Sequence, residues 1–88
     1  MTLEQLREEI ADIDRELVEL MAQRTYVAET IARVKEEEGL PTTDERQEAL
    51  VMERARENAE RFELHPEVVT DVFELLVELN KSEQRERR

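Results

Sequence analysis

The chain has 88 residues, of which 42% are charged and 39% hydrophobic, and its formal net charge is −11. One domain is all that this length holds, its lone core would be marginal, and the acid excess argues against nucleic acid as a partner. The lack of cysteine excludes a disulfide framework and thiolate chemistry, while a single glycine and three aromatic residues point to an all-helical chain.

Leu3, Leu6, Ile10, Ile13, Leu17, Leu20, Val27, Ile31 and Val34 recur at alternating spacings of three and four. Such a heptad seam predicts one long amphipathic helix from Thr2 to about Glu38. Thr2 with Gln5 makes a capping box at its start, and Gly39 and Pro41 stop it. Some 36 residues of helix span about 54 Å, whereas a compact chain of this length is roughly 31 Å across. The remaining residues do not suffice to cover that seam, so the expected assembly is a homodimer in which the long helices pack together or are wrapped by the partner's.

Residues 39–43 form a short loop. A second helix starts near Asp44, whose carboxylate caps it, with Glu45 and Glu48 favourably placed by its N-terminal dipole. It runs to about Arg61, with Leu50, Val51, Ala55, Ala59 and nearby Phe62 as its apolar side. After a loop at 62–65, Pro66 opens a third helix that carries Val69, Val72, Phe73, Leu76 and Leu79 toward the core. Asn80 and Gln84 continue the face of Phe73, Leu76 and Val77 at a spacing of four. Arg85-Glu86-Arg87-Arg88 suits a helix C-terminus by charge and is expected to fray. The predicted architecture is all-α, one very long N-terminal helix and two shorter ones, in a single domain over 1–88.

The basic residues are eleven Arg against two Lys, Lys35 and Lys81. Acid excess with so little lysine suits a surface adapted to high salt, where counterions screen self-repulsion. Residues 1–20 have neither the basic start nor the unbroken apolar run of a secretory signal, and no run approaches membrane-spanning length. A cytoplasmic protein, bound to no membrane, is expected.

The informative residues are polar groups on faces that should be apolar. Arg24 occupies the seam position between Leu20 and Val27. Burying an unpaired guanidinium costs several kcal/mol, so something anionic should meet it: a carboxylate of the partner helix that fixes register, or a ligand. Arg7 and Lys35 flank the same seam and singly read as edge residues whose stems cover apolar surface. Asp44 and Glu48 singly read as cap and dipole complement, Asn80 and Gln84 as the solvated end of a helix. His65, the lone histidine, reads as a capping residue beside Pro66. Together, the cations, carboxylates and amides suit a cavity for a small polyanion. No Ser/His/Asp set, metal-ligand cluster or phosphate-cradling glycine loop is present, so no metal or cofactor is expected. Chemistry here would work by positioning and electrostatics.

The ordered set Leu6-Arg7-Glu8-Glu9-Ile10, Asp14, Leu17, Gln23-Arg24, Val34-Lys35, Asp44-x-x-x-Glu48, Arg54, Phe73 and Asn80-x-x-x-Gln84 resembles the all-helical chorismate mutases, without gaps over nearly the whole chain. The resemblance implies an intertwined homodimer with two active sites that rearranges chorismate to prephenate, at the branch toward phenylalanine and tyrosine. It implies that Arg24 binds a substrate carboxylate, that Arg7 does so from the other subunit, and that Lys35 and Gln84 donate to the ether oxygen. Asp44 and Glu48 would lie by the ring hydroxyl, and Asn80 at a site-lining position. Arg7 and Lys35 are 28 residues apart, roughly 42 Å along one helix axis, so both reach one substrate only from different chains.

One position departs from the family pattern, which usually has an arginine just before the glutamate. Here Gln47 stands there, with Arg46 one residue earlier and turned by about 100° on a regular helix. Arg46 takes over only if the first turn is irregular or its side chain bends back. Two alternatives stand beside the mutase reading. One is an isochorismate pyruvate-lyase-like enzyme, acting on a near-identical ligand. The other is a non-catalytic helical dimerisation module, with Arg24 as its registry residue.

Overall fold

A computed structural model describes the backbone of residues 1–86 and the side chains of residues 1–82. It contains three helices, α1 (Leu3–Glu38), α2 (Glu45–Arg61) and α3 (Pro66–Glu86), and no strand among the described residues. The boundaries follow from local chemistry. The Thr2 hydroxyl accepts from the Gln5 N–H while the Gln5 side chain accepts from the Thr2 N–H, which completes the capping box at the start of α1. At its end Gly39 takes the left-handed conformation, with φ of 71°, and the Leu40 and Gly39 N–H groups close back on the carbonyls of Lys35 and Glu36.

Asp44 caps α2, its carboxylate accepting from the N–H groups of Arg46 at 3.1 Å and Gln47 at 3.3 Å. The end of α2 repeats the closure seen at Gly39 without a glycine. Leu64 N–H bonds the Ala59 carbonyl and Glu63 N–H the Glu60 carbonyl, with Glu63 itself left-handed at φ 58°. An L side chain in that region costs about 1–2 kcal/mol, which the two closing bonds and the turn into α3 offset.

The α3 helix packs against α2 and against α1, and among the described residues it is the only bridge between them. The small Ala55 and Ala59 let α2 approach α3 closely and are the buried apolar residues of the described chain, at 1% and 2% exposure. Val69, Phe73, Leu76, Val77 and Leu79 of α3 are half-buried beside them. Val72, Leu50 and Phe62, expected on packed faces, remain exposed within one chain. The reason is geometric: a face wide enough to be amphipathic meets only one neighbour here, so its far flank has nothing to pack on.

The shape is elongated, 55 × 27 × 15 Å with a radius of gyration of 16.0 Å, against roughly 12 Å for a compact chain of this length. No residue of α1 is buried. All nine apolar seam residues from Leu3 to Val34 are between 44% and 63% exposed, a stripe that runs the length of the helix. No helix among the described residues is long and apolar enough to cross a membrane.

Candidate functional site

The junction of α1 with α3 carries the polar cluster. Arg24 sits midway along α1, half-buried, and donates from Nη1 to Oδ1 of Asn80. The other side of that amide is also occupied: Asn80 Nδ2 donates to the Thr25 hydroxyl at 2.7 Å, which in turn donates to the Met21 carbonyl at 2.9 Å. Asn80, 6% exposed, is the buried polar residue of the described chain. With both ends of its amide used, its orientation is fixed and so is that of the guanidinium it holds.

Phe73 completes the seat, its ring centroid 5.9 Å from Cζ of Arg24, at the edge of cation–π range. Both groups that hold Arg24 are therefore neutral. No carboxylate forms an ion pair with it among the described residues, so its charge is positioned and not cancelled. A guanidinium has five N–H donors, and Asn80 engages one nitrogen. Among the described residues its charge is left without an anionic partner, the electrostatics an anion receptor needs.

Glu48 lies on the first turns of α2 and forms an ion pair with Lys81 of α3, Nζ to Oε1 2.7 Å, with both side chains between a third and two-fifths exposed. Lys81 follows Asn80 directly, so the pair brings the start of α2 to the level of the Arg24 cluster. The Asp44 carboxylate is engaged as the cap of α2. Lys35 is half-buried in the last turn of α1, eleven residues or roughly 16 Å of helix rise from Arg24. Gln84 belongs to α3, and its side chain lies outside the described residues.

Arg7, Arg46 and Gln47 are exposed. Arg7 is some 26 Å of helix rise from Arg24, and nothing in one chain brings it to the cluster. The first turn of α2 is regular, with the N–H groups of residues 46 and 47 both tied to the Asp44 cap. The route by which an irregular turn would place Arg46 where position 47 points is therefore absent. A groove of about 670 Å³ runs between α2 and α3, lined by Glu48, Asp71, Glu74 and Glu78 against the single cation Lys81. Asp71, Glu74 and Glu78 repel a polyanion from most of its length, and only the end formed by Glu48 and Lys81 carries a cation.

Thr25 and Lys81 are the functional candidates that reading the sequence missed. Thr25 is one step off the seam, a polar residue on the flank of α1 that meets α3, and that placement was its available signal. Lys81 ends the helical stripe of Asp71, Glu74 and Glu78 with a change of sign, but its pairing is not legible because the partner is 33 positions away in sequence.

Residues 6–85 match the family model described as Chorismate mutase type II. The chain is similar to a protein named Chorismate mutase from Methanocaldococcus jannaschii, with 27% identity over 84 residues, 96% of this chain and 85% of the relative. It is also similar to T-protein of Haemophilus influenzae, with 33% identity over 71 residues, 81% of this chain and 19% of that relative's length.

Proposed function

The chain belongs to the type II chorismate mutase family, isomerases that turn chorismate into prephenate, and we propose that it performs this reaction as a homodimer with two shared sites. The observation that carries the reading is Arg24, seated by Asn80 and Phe73 with its charge uncancelled, at the place where a carboxylate of the substrate is expected.

Two facts support the dimer. The apolar stripe of α1 is about half exposed along its whole length, and Arg7 is far from Arg24 and Lys35 on that helix. Burying the exposed half of such a side chain contributes on the order of 1 kcal/mol. Two copies with nine seam residues each thus gain about 18 kcal/mol if fully covered, against the roughly 4–15 kcal/mol that association costs in lost freedom. With the two α1 helices antiparallel, Arg7 of one copy comes to the Lys35 end of the other.

The mechanism needs no proton transfer and no covalent intermediate, because the rearrangement is a unimolecular pericyclic shift. The substrate is a dianion that reacts from a compact conformer, with the enolpyruvyl group folded over the ring. Arg24, and Arg7 from the second copy, hold its two carboxylates and so retain that conformer, which is a proximity effect. As the ether bond breaks, its oxygen gains negative charge. Lys35 and Gln84 donate to that oxygen, a contact stronger in the transition state than in the ground state. Asp44 and Glu48 accept from the ring hydroxyl, and Asn80 orients Arg24. A cytoplasm rich in KCl is the compartment whose ionic strength suits a net charge of −11.

The test is product analysis of the purified chain with chorismate and, separately, isochorismate, in molar KCl. Prephenate from chorismate without pyruvate release is the expected result. Pyruvate release from isochorismate as the main activity would assign the lyase chemistry instead. Turnover of neither, with no binding of a bicyclic mimic of the transition state, would leave a dimerisation module.

A further inference from the structure

We propose that Lys81 is a substrate-binding residue of this enzyme: its ammonium, held beside Glu48, supplies the carboxylate contact that the glutamine at position 47 does not. The proposal rests on the chorismate mutase reading above and adds to it a residue drawn from the contacts of α2 with α3.

The first argument is charge. The groups assigned to one site are three cations, Arg7 of the second copy, Arg24 and Lys35, against two carboxylates, Asp44 and Glu48. They leave one net positive charge for a substrate that carries two negative ones. An arginine at position 47 would close that difference, and Gln47 does not. Lys81 closes it, and the ion pair with Glu48 at 2.7 Å places it among the site residues.

The second argument is position. Lys81 is adjacent to Asn80, which holds Arg24, and three residues before Gln84, so it shares the flank of α3 on which Gln84 lies. Asp71, Glu74, Glu78 and Lys81 succeed each other at spacings of three, four and three and line one groove with Glu48. The stripe is acidic until its last member, where the sign reverses beside Glu48. A structural clasp for α2 would work as well anywhere along that stripe; the reversal falls at Glu48, one of the two acids assigned to substrate.

The third argument is accessibility. The side chains of Lys81 and Glu48 are 39% and 35% exposed, so the pair is open to a ligand and adds little to stability. The lysine stem is long and flexible, and its ammonium has three donors. A substrate carboxylate at the open side of the pair would share that ammonium with Glu48, which takes the ring hydroxyl. Arg46 is the competing cation, but the regular capped first turn of α2 directs it away from where position 47 points.

The experiment compares wild type, Lys81→Met, Lys81→Gln, Lys81→Arg and the double variant Lys81→Met/Gln47→Arg. Each is measured for prephenate formation and for thermal unfolding, at one fixed KCl concentration. Both neutral variants should lose about 10–100-fold in kcat/KM, mainly through KM, as expected for a lost hydrogen bond to a charged group, with little change in melting temperature. Lys81→Arg should keep most activity, and Gln47→Arg should restore the activity of Lys81→Met to within a few-fold of wild type.

Wild-type kcat/KM in the neutral variants overturns the proposal. So does a loss that follows the melting temperature and is not recovered by Gln47→Arg, which would make Lys81 a clasp for Glu48 alone. A wild-type chain that makes no prephenate defeats the chorismate reading itself, an outcome distinct from both.

Discussion

The α1 helix and the α2–α3 pair solve the same problem in opposite ways. The α2–α3 pair closes on itself: Ala55 and Ala59 are buried, and the connection at 62–65 is a tight left-handed closure. The α1 helix is more than twice as long as α2, and its apolar seam is left about half exposed. One region buries a small core of its own, while the other would do so only as half of the proposed interface. In a chain of this size a helix that outgrows its own domain places residues at its two ends too far apart to serve one ligand. The proposed dimer turns that separation into a site shared by two chains.

The strongest way to break the comparison is to put a carboxylate into each region. Ile13→Asp, on the seam, should abolish the dimer and most helical structure with it, because two unpaired carboxylates would be desolvated at the interface at a cost of several kcal/mol each. Light scattering and circular dichroism report that loss. Val68→Asp, at a comparably exposed position on α3, should change stability by no more than about 0.5 kcal/mol. If Ile13→Asp is equally silent, the stripe is not an interface.

Complementation sharpens the same point. Arg7→Ala and Lys35→Ala should each lower activity by about 10² or more. Unfolded together and refolded, they should form heterodimers in which one site carries both defects and the other neither. Random pairing makes about half the dimers mixed, so roughly a quarter of wild-type activity should return. A refolded mixture shown by mass to contain heterodimers, yet as inactive as its parents, would mean that each site lies within one chain.

Next in size is overpacking. Ala55→Leu forces a larger side chain between α2 and α3 and should cost about 1–3 kcal/mol, read as a lower denaturant midpoint. Ala11→Leu, on exposed α1, should cost far less, since nothing in the chain presses on it.

Salt separates the regions by charge. Net charge −11 predicts that both melting temperature and turnover rise from low salt to molar KCl, as screening relieves carboxylate repulsion. Flat or falling curves for both would remove the high-salt reading.

The smallest effects belong to the two helix ends. Gly39→Ala should destabilise by about 1 kcal/mol, because alanine is strained at φ 71°. Glu63→Gly, at φ 58°, should stabilise by up to about 1 kcal/mol. Thermal melts of the two variants should shift in opposite directions.

What the sequence made legible was whatever is decided within a few residues. Thr2 and Gln5, Gly39, Asp44 and Pro66 set the helix ends by local hydrogen bonding and dihedral preference, and the observed boundaries follow them. The seam of α1 was readable because its period is local, and Arg24 stood out as a break in that period. Its partner Asn80 lay on a face already marked, but Thr25 joined them only through the fold, since hydrogen bonding across a helix junction leaves no periodic trace. Lys81 was hidden for the same reason. Val72 and Leu50 erred in the other direction: apolar periodicity reports that a face wants cover, not which neighbour provides it.

Because among the described residues α3 alone joins α1 to α2, the chain has an order of assembly written into its contacts. The α2–α3 hairpin closes over a short connection, so its contacts form at low entropic cost and need no second molecule. In the proposed dimer the seam side of α1 acquires its neighbours through an encounter between molecules, which would make that step bimolecular. Refolding should therefore show an early phase independent of protein concentration and a later one that accelerates with it, and only the later phase should restore activity. Amide exchange should divide along the same line. Protons of α2 and of the packed part of α3 should persist at dilutions where those near the N-terminus of α1 already trade with solvent.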